Sequence, residues 1–489
     1  MKAGLRYFSL LLFFVSFSCR KDIGKINHGD YPTDIGRIIS ANCSVQGCHN
    51  TASADAAAGY NLQTWVTLFK GANSGSPVIP YNSKFSSLCS FINTYPGLGI
   101  QNKPTMPLNS SPLSFEQVSR IKDWIDAGAP DINGNVMWAD NPARKKLYAT
   151  NQGCDVITVF DSETMLPMRF IHAGIKPSGN TPHQVRVSPD GNYWYVIFIN
   201  SNIMQKFRCG DDSYVGTIPL SPFAAGTSSD PDNDAIHWNT FVITKDSRYA
   251  YCVSWPDGKI AKVDLERMSL LHFLGGQGVP HGIVLNAAED KFYLASQTGN
   301  FISVYDTSFS EEPQDIILEN GPKNTGKSLD PHDMVLSPDN QNILITCQES
   351  NQVKVVNIAS GLVTRTIPTG TYPQEIIYSK GTNEYFVSCT EDTTSFPGAH
   401  GVIMRINASS YTGTKIKCGF QPHGIAVDES KKTLYVLSRN STANGPAPHH
   451  TSQCVGRNGF VNFIDLKTFT LLNKKYELSV DPYFIFARP

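Results

Sequence analysis

One phrase, repeated seven times, constrains this chain more than any other feature. It consists of a proline, a residue that is most often histidine, and a short apolar run. The copies begin at Pro182-His183, Trp238-Asn239, Pro280-His281, Pro331-His332, Pro373-Gln374, Pro422-His423 and Pro482-Tyr483, one of them with tryptophan in place of the proline. Counted from the second residue of each, the steps are 56, 42, 51, 42, 49 and 60. Units of that length, rich in Val, Ile, Tyr and Phe and broken by Gly, Asp, Asn and Pro, hold four short strands, and such sheets repeat radially as a β-propeller. Seven starts predict seven blades. The last start is followed by a single strand, whereas Lys146 to Asp161 reads as a blade lacking its first strand, so the two ends are expected to complete one blade. That closure removes the free sheet edges and predicts a monomeric propeller.

The first 130 residues read differently. Ile35, Ile38 and Ile39 have helical spacing and lead into Asn42-Cys43-Ser44-Val45-Gln46-Gly47-Cys48-His49. Two thiols followed at once by a histidine are what covalent haem attachment requires, because the sulfurs capture two vinyl groups and the imidazole then lies under the iron. The spacing is C-x4-C-H rather than C-x2-C-H, so two residues must loop out, and Gly47 supplies the backbone freedom. A small disulfide between Cys43 and Cys48, or a zinc site including His49, are the alternative uses of the same residues. Further on, Lys103-Pro104-Thr105-Met106-Pro107 offers a methionine on a Pro-flanked loop. Then Ser114-Phe115-Glu116-Gln117 forms a helix-capping box, and Val118, Ile121, Trp124 and Ile125 continue an apolar stripe that ends at Gly128.

Together these landmarks resemble the c-type cytochrome domains of exported bacterial proteins. The resemblance implies one covalent haem c, with Cys43 and Cys48 as thioether cysteines, His49 as proximal ligand and Met106 as distal ligand. The stretches Leu147-Tyr148-Ala149-Thr150-Asn151 and Leu434-Tyr435-Val436 resemble the YVTN propeller family, which specifies a fold and leaves function open. The expected fold class is therefore multidomain: a small all-α cytochrome c domain at residues 31–131, then an all-β seven-bladed propeller at 132–489. The linker enters a blade from the face opposite the histidines, which sets the cytochrome on that side.

Residues 1–19 carry Lys2, Arg6 and an apolar run from Phe8 to Phe17, the layout of a secretory signal; 20–30 form a spacer. Val15-Ser16-Phe17-Ser18-Cys19 resembles a lipobox, which implies lipidation at Cys19 and a membrane tether in the bacterial envelope, facing the periplasm or on the outer membrane. With 41 basic and 42 acidic side chains there is no basic stripe, and nucleic acid is not an expected partner. Of the eight cysteines not assigned to lipid or haem, most are expected as buried unpaired thiols. His183, His281, His332 and His423 should ring one mouth of the propeller channel. The leading functional expectation is an electron carrier exchanging electrons with partner proteins. An oxidoreductase with a metal or substrate site at the histidine-rich mouth, and a haem-free surface binding protein, are the alternatives.

Overall fold

The computed structural model describes residues 28–222, 237–255, 258–275, 278–326 and 329–489. The signal segment and Cys19 lie outside the described residues. Seven antiparallel four-stranded sheets are present, as the seven repeats predict. The first residues of each repeat form the innermost strand of a sheet: Pro182–Val187, Trp238–Ile243, Pro280–Leu285, Pro331–Leu336, Pro373–Ser379, Pro422–Asp428 and Pro482–Ala487. These strands neighbour one another in a closed circle. Ring closure is made by the two ends of the region. Pro482–Ala487 pairs with Lys146–Asn151, which pairs with Val156–Asp161 and through it with Pro167–His172.

The alternation of each inner strand explains the packing. Its fourth residue, Val185, Phe241, Ile283, Met334, Ile376, Ile425 or Ile485, is buried in the inter-sheet core, while its fifth lines the channel. Glycine at the third position of two strands has a steric cause. A Cβ on Gly282 would stand 2.5 Å from the His332 carbonyl oxygen, and one on Gly424 would stand 2.4 Å from that of Tyr483. The inner strands therefore approach closely at the axis.

The N-terminal part corrects the expected fold class. Nearly all regular structure is β, and the described residues contain only four short α-helices: α1 Thr33–Asn42, α2 Trp65–Leu68, α3 Ser87–Ile92 and α4 Phe115–Asp126. No distinct all-α cytochrome domain is formed. The two stripes legible in the sequence are real: Ile35 and Ile39 are buried on α1, and Val118, Ile121, Trp124 and Ile125 on α4, behind the Ser114–Gln117 capping box. Between them the Gly-, Pro-, Ser- and Asn-rich chain makes turns, and helices this short cannot enclose a core of their own. Their buried side chains instead share one continuous apolar cluster with Tyr148, Phe160, Met168, Phe463 and Tyr476 of the propeller.

The helical segment lies along the flank of the propeller, at the seam where the ring closes. Ser76 Oγ donates to the Pro167 carbonyl at 2.6 Å, Asn82 to the Phe170 carbonyl at 2.9 Å, and Phe85 stacks on Phe170 at 4.8 Å. Its other end reaches the loop after Thr433–Ser438, where Thr451 N–H donates to Asn102 at 3.1 Å and the Phe91 ring meets His450 at 5.6 Å. That loop is on the histidine face. The segment is therefore on the rim and touches the face that the linker argument had placed out of its reach.

One disulfide among the described residues joins Cys154 to Cys454 across 300 residues. Both cysteines sit in histidine-face loops, one from the first blade and one from the last, so the bond spans the closure seam. The other eight, Cys43, Cys48, Cys89, Cys209, Cys252, Cys347, Cys389 and Cys418, are free thiols.

Candidate functional sites

Cys43 is the C-cap of α1, and the chain then loops and returns. Cys48 N–H donates to the Val45 carbonyl, and His49 N–H donates to the Cys43 carbonyl, both at 3.1 Å. Gly47, at φ +80°, makes this return, and a Cβ there would meet nothing within 4 Å, so open space lies beside the motif. The residues between Cys43 and Cys48 form this loop. Burial, with the neighbouring Cys48 adding to it, pushes the Cys43 thiol up to about 12, and it is a neutral S–H. His49 Nδ1 donates to the Tyr60 carbonyl at 3.3 Å, which fixes the tautomer and leaves Nε2 as the free lone pair. Burial lowers the pKa of His49, partly offset by that bond, so the ring is neutral near pH 7.

Met106 sits after α3 on the Pro-flanked loop, held by its N–H to the Phe91 carbonyl at 2.9 Å. Its half-buried side chain packs against the apolar cluster that includes Cys43. The structure thus brings Cys43, Cys48 and His49 into one loop and packs Met106 against the apolar cluster to which Cys43 belongs.

The second site is the propeller axis. His183, His281, His332 and His423 are brought together with Tyr483, a residue whose role the sequence did not reveal. Ring centroids lie 6.0 Å apart from His183 to His281, 3.8 Å on to His332, 6.1 Å on to His423, 3.8 Å on to Tyr483 and 4.4 Å back to His183. Five rings from five blades therefore close a circle over one mouth of the channel. In the other two blades Asn239 and Gln374 bond to the Pro280 carbonyl and to Gln348. Gln152 donates to His183 Nδ1 at 2.6 Å, while His281 and His423 donate through Nδ1 to the His332 and Tyr483 carbonyls. His183 Nε2, His332 Nδ1 and His423 Nε2 are buried without a hydrogen-bond partner among the described residues. Burial lowers all four imidazoles, His281 to about 4, and they are neutral. Among the described residues no group of three His, Cys, Asp or Glu side chains is arranged to hold a metal ion. The rings meet edge-on or tilted against one another instead.

No protein-family model matches the sequence, and no curated protein matches it. Among solved structures, the chain is similar to a Kuenenia stuttgartiensis hydrazine synthase chain, with TM-score 0.49 and 14% identity over 64% of this chain and 93% of that one. It is also similar to a functionally unknown protein from Desulfotomaculum acetoxidans DSM 771, with TM-score 0.48 and 10% identity over 69% of this chain and 99% of the other.

Beneath the ring of five, the channel opens toward the opposite face as a cavity of about 590 Å³. The fifth residue of every inner strand lines it: Val242, Val284, Val335, Ile377, Ala426 and Phe486 in six blades, and Arg186 in one. Asp333 and Glu375 line it from the third position of their strands, where Gly282 and Gly424 stand in two others. Asp333 and Glu375 are hydrogen-bonded to each other, and burial raises both carboxyls, so the pair retains a proton. Sequence reasoning missed these three residues. The signal was there: a charged side chain at inward-facing positions of an otherwise apolar strand register.

Proposed function

We propose that the protein is an exported electron carrier of the bacterial envelope, bearing one covalent haem c on the helical segment, with the propeller as its scaffold. The observation that carries this reading is the loop itself. Two unbridged thiols lie on one loop that the His49 to Cys43 backbone bond closes, beside open space at Gly47, with an imidazole whose Nε2 is left free. The donor set fits the group. Cys43 and Cys48 would hold it by adding S–H across two vinyl groups, each sulfur bonding one vinyl carbon and the proton going to the other. His49 is oriented for the iron by the Tyr60 carbonyl, a second-shell bond of the kind that fixes ring direction. Met106, anchored by its N–H to the Phe91 carbonyl, is the second residue that would hold the iron. When bound, the haem supplies a one-electron store.

Export is supported by the N-terminal signal pattern and by the Cys154–Cys454 disulfide, a bond favoured in oxidising compartments. Lipidation at Cys19 would tether the chain. Among the described residues no helix is long and apolar enough to cross a membrane. The test is expression with cytochrome maturation factors. We expect a haem-staining band that survives denaturing electrophoresis, and a Met106→Ala variant whose reduced spectrum is shifted. An unstained protein with Cys43 and Cys48 bonded to each other would overturn the reading.

A further inference from the structure

The cavity on the propeller axis is independent of the haem motif, and its floor is built from polar groups. Arg186 is stacked over Phe484 and Phe486, with the guanidinium carbon 5.7 and 5.4 Å from the ring centroids. Its Nε donates to Gln184 Oε1 at 3.2 Å. Its two terminal nitrogens make no hydrogen bond or ion pair among the described residues, and the side chain faces the cavity. Asp333 and Glu375 are near enough for their charge to act on Arg186, yet they do not bond it. Asp333 is held by the Ile376 N–H at 3.0 Å and by Glu375, while His423 Nδ1 lies 3.8 Å from Glu375 on the side of the ring plug. A guanidinium fork and a carboxylate face one slot without joining, an arrangement that a ligand answering both would complete.

We propose that this funnel binds a small zwitterion with an apolar side chain, of the α-amino acid class, its carboxylate on the Arg186 fork and its ammonium on the Asp333–Glu375 pair. The charges balance: one guanidinium, one carboxylate pair sharing a proton, and a ligand of zero net charge. A planar two-oxygen anion matches the Arg fork bidentately, which an isolated amine or alcohol cannot do. The Val, Ile and Phe walls take the ligand's side chain, and the volume lies within the usual range for small-molecule sites. Entry is from the face opposite the histidines, because none of the five rings lines the cavity and they close its other end.

The test is calorimetric titration of the full chain with L-leucine and L-phenylalanine, alongside 4-methylpentanoate, which lacks the ammonium, and 3-methylbutylamine, which lacks the carboxylate. At least one amino acid should bind, and each truncated analogue should bind at least tenfold more weakly than leucine. Arg186→Gln and Asp333→Asn should each weaken amino-acid binding at least tenfold. If a variant fails to fold by circular dichroism, the two analogues read the same two contacts on the unaltered protein. Binding of the analogues as tight as that of the amino acids, or no binding of either amino acid at millimolar concentration, overturns the proposal.

Discussion

The propeller and the helical segment are stabilised in opposite ways. Each blade repeats one hydrogen-bonded ladder and one apolar register, so its structure is written into a local pattern and merely multiplied. The segment has two amphipathic helices, α1 and α4, and is pinned by single bonds: Trp65 Nε1 to the Ala129 carbonyl at 2.8 Å, Trp124 Nε1 to the Pro130 carbonyl at 2.9 Å, and Tyr31 to the Leu62 carbonyl at 3.1 Å. Its buried apolar side chains join a cluster completed by the propeller flank. The lesson is that a segment need not be an autonomous domain to hold a fixed loop such as Cys43 to His49, provided a rigid neighbour completes its core.

The contrast predicts its largest effect on separation. Residues 28–138 expressed alone should show no cooperative thermal transition, while 139–489 should keep a β-type circular dichroism spectrum. A segment that melts cooperatively on its own would break the comparison.

Next in size is a pH effect confined to the propeller axis. The four axial imidazoles are held below the ordinary 6.5 by burial, which takes His281 to about 4; neighbouring imidazoles add to this at His183, His332 and His423, and Arg439 at His183 and His423. Above pH 6.5 both folded and unfolded forms are neutral there. As the pH falls from 6.5 toward 4 only the unfolded chain takes up these protons, so stability is lost over that window. Each ring contributes up to about 1.4 kcal/mol per pH unit. Chemical-denaturation curves from pH 7 to 5 should show this slope, and His332→Gln, with the amide that the Gln374 blade already carries, should reduce it by about one ring's share.

The seam provides a smaller test. Replacing Cys154 and Cys454 by serine should cost about 2–4 kcal/mol, read as a lower unfolding midpoint, because the bond restricts a loop of 300 residues in the unfolded chain. Smallest is the cap of α4, where Ser114 Oγ accepts from the Gln117 N–H at 3.3 Å. Ser114→Ala should cost about 1 kcal/mol in the same measurement.

Where the pattern was periodic, the sequence was readable in detail. Pro182-His183 and its six counterparts located every inner strand, and the paired ends, Lys146 to Asn151 with Pro482 to Ala487, closed the ring as expected. Helices α1 and α4 were legible from their stripes and from the Ser114–Gln117 box. What the stripes could not convey was that Ile35, Ile39 and Trp124 share their core with Tyr148 and Tyr476, since that depends on which surfaces meet and not on any local spacing. The partnership of Cys154 with Cys454 was hidden for the same reason. Among the axial residues, the histidines stood out by repetition, whereas Arg186, Asp333 and Glu375 occur once each. They are recognisable only when the register shows that the third and fifth positions face the channel.

The proposed covalent haem on the Cys43-to-His49 loop is tested most directly by the mass of the intact mature protein. A gain of one haem relative to the polypeptide is expected, absent from a Cys43→Ser, Cys48→Ser double variant that keeps the same β spectrum. A mature protein with no added haem and with Cys43 and Cys48 linked to each other would contradict it.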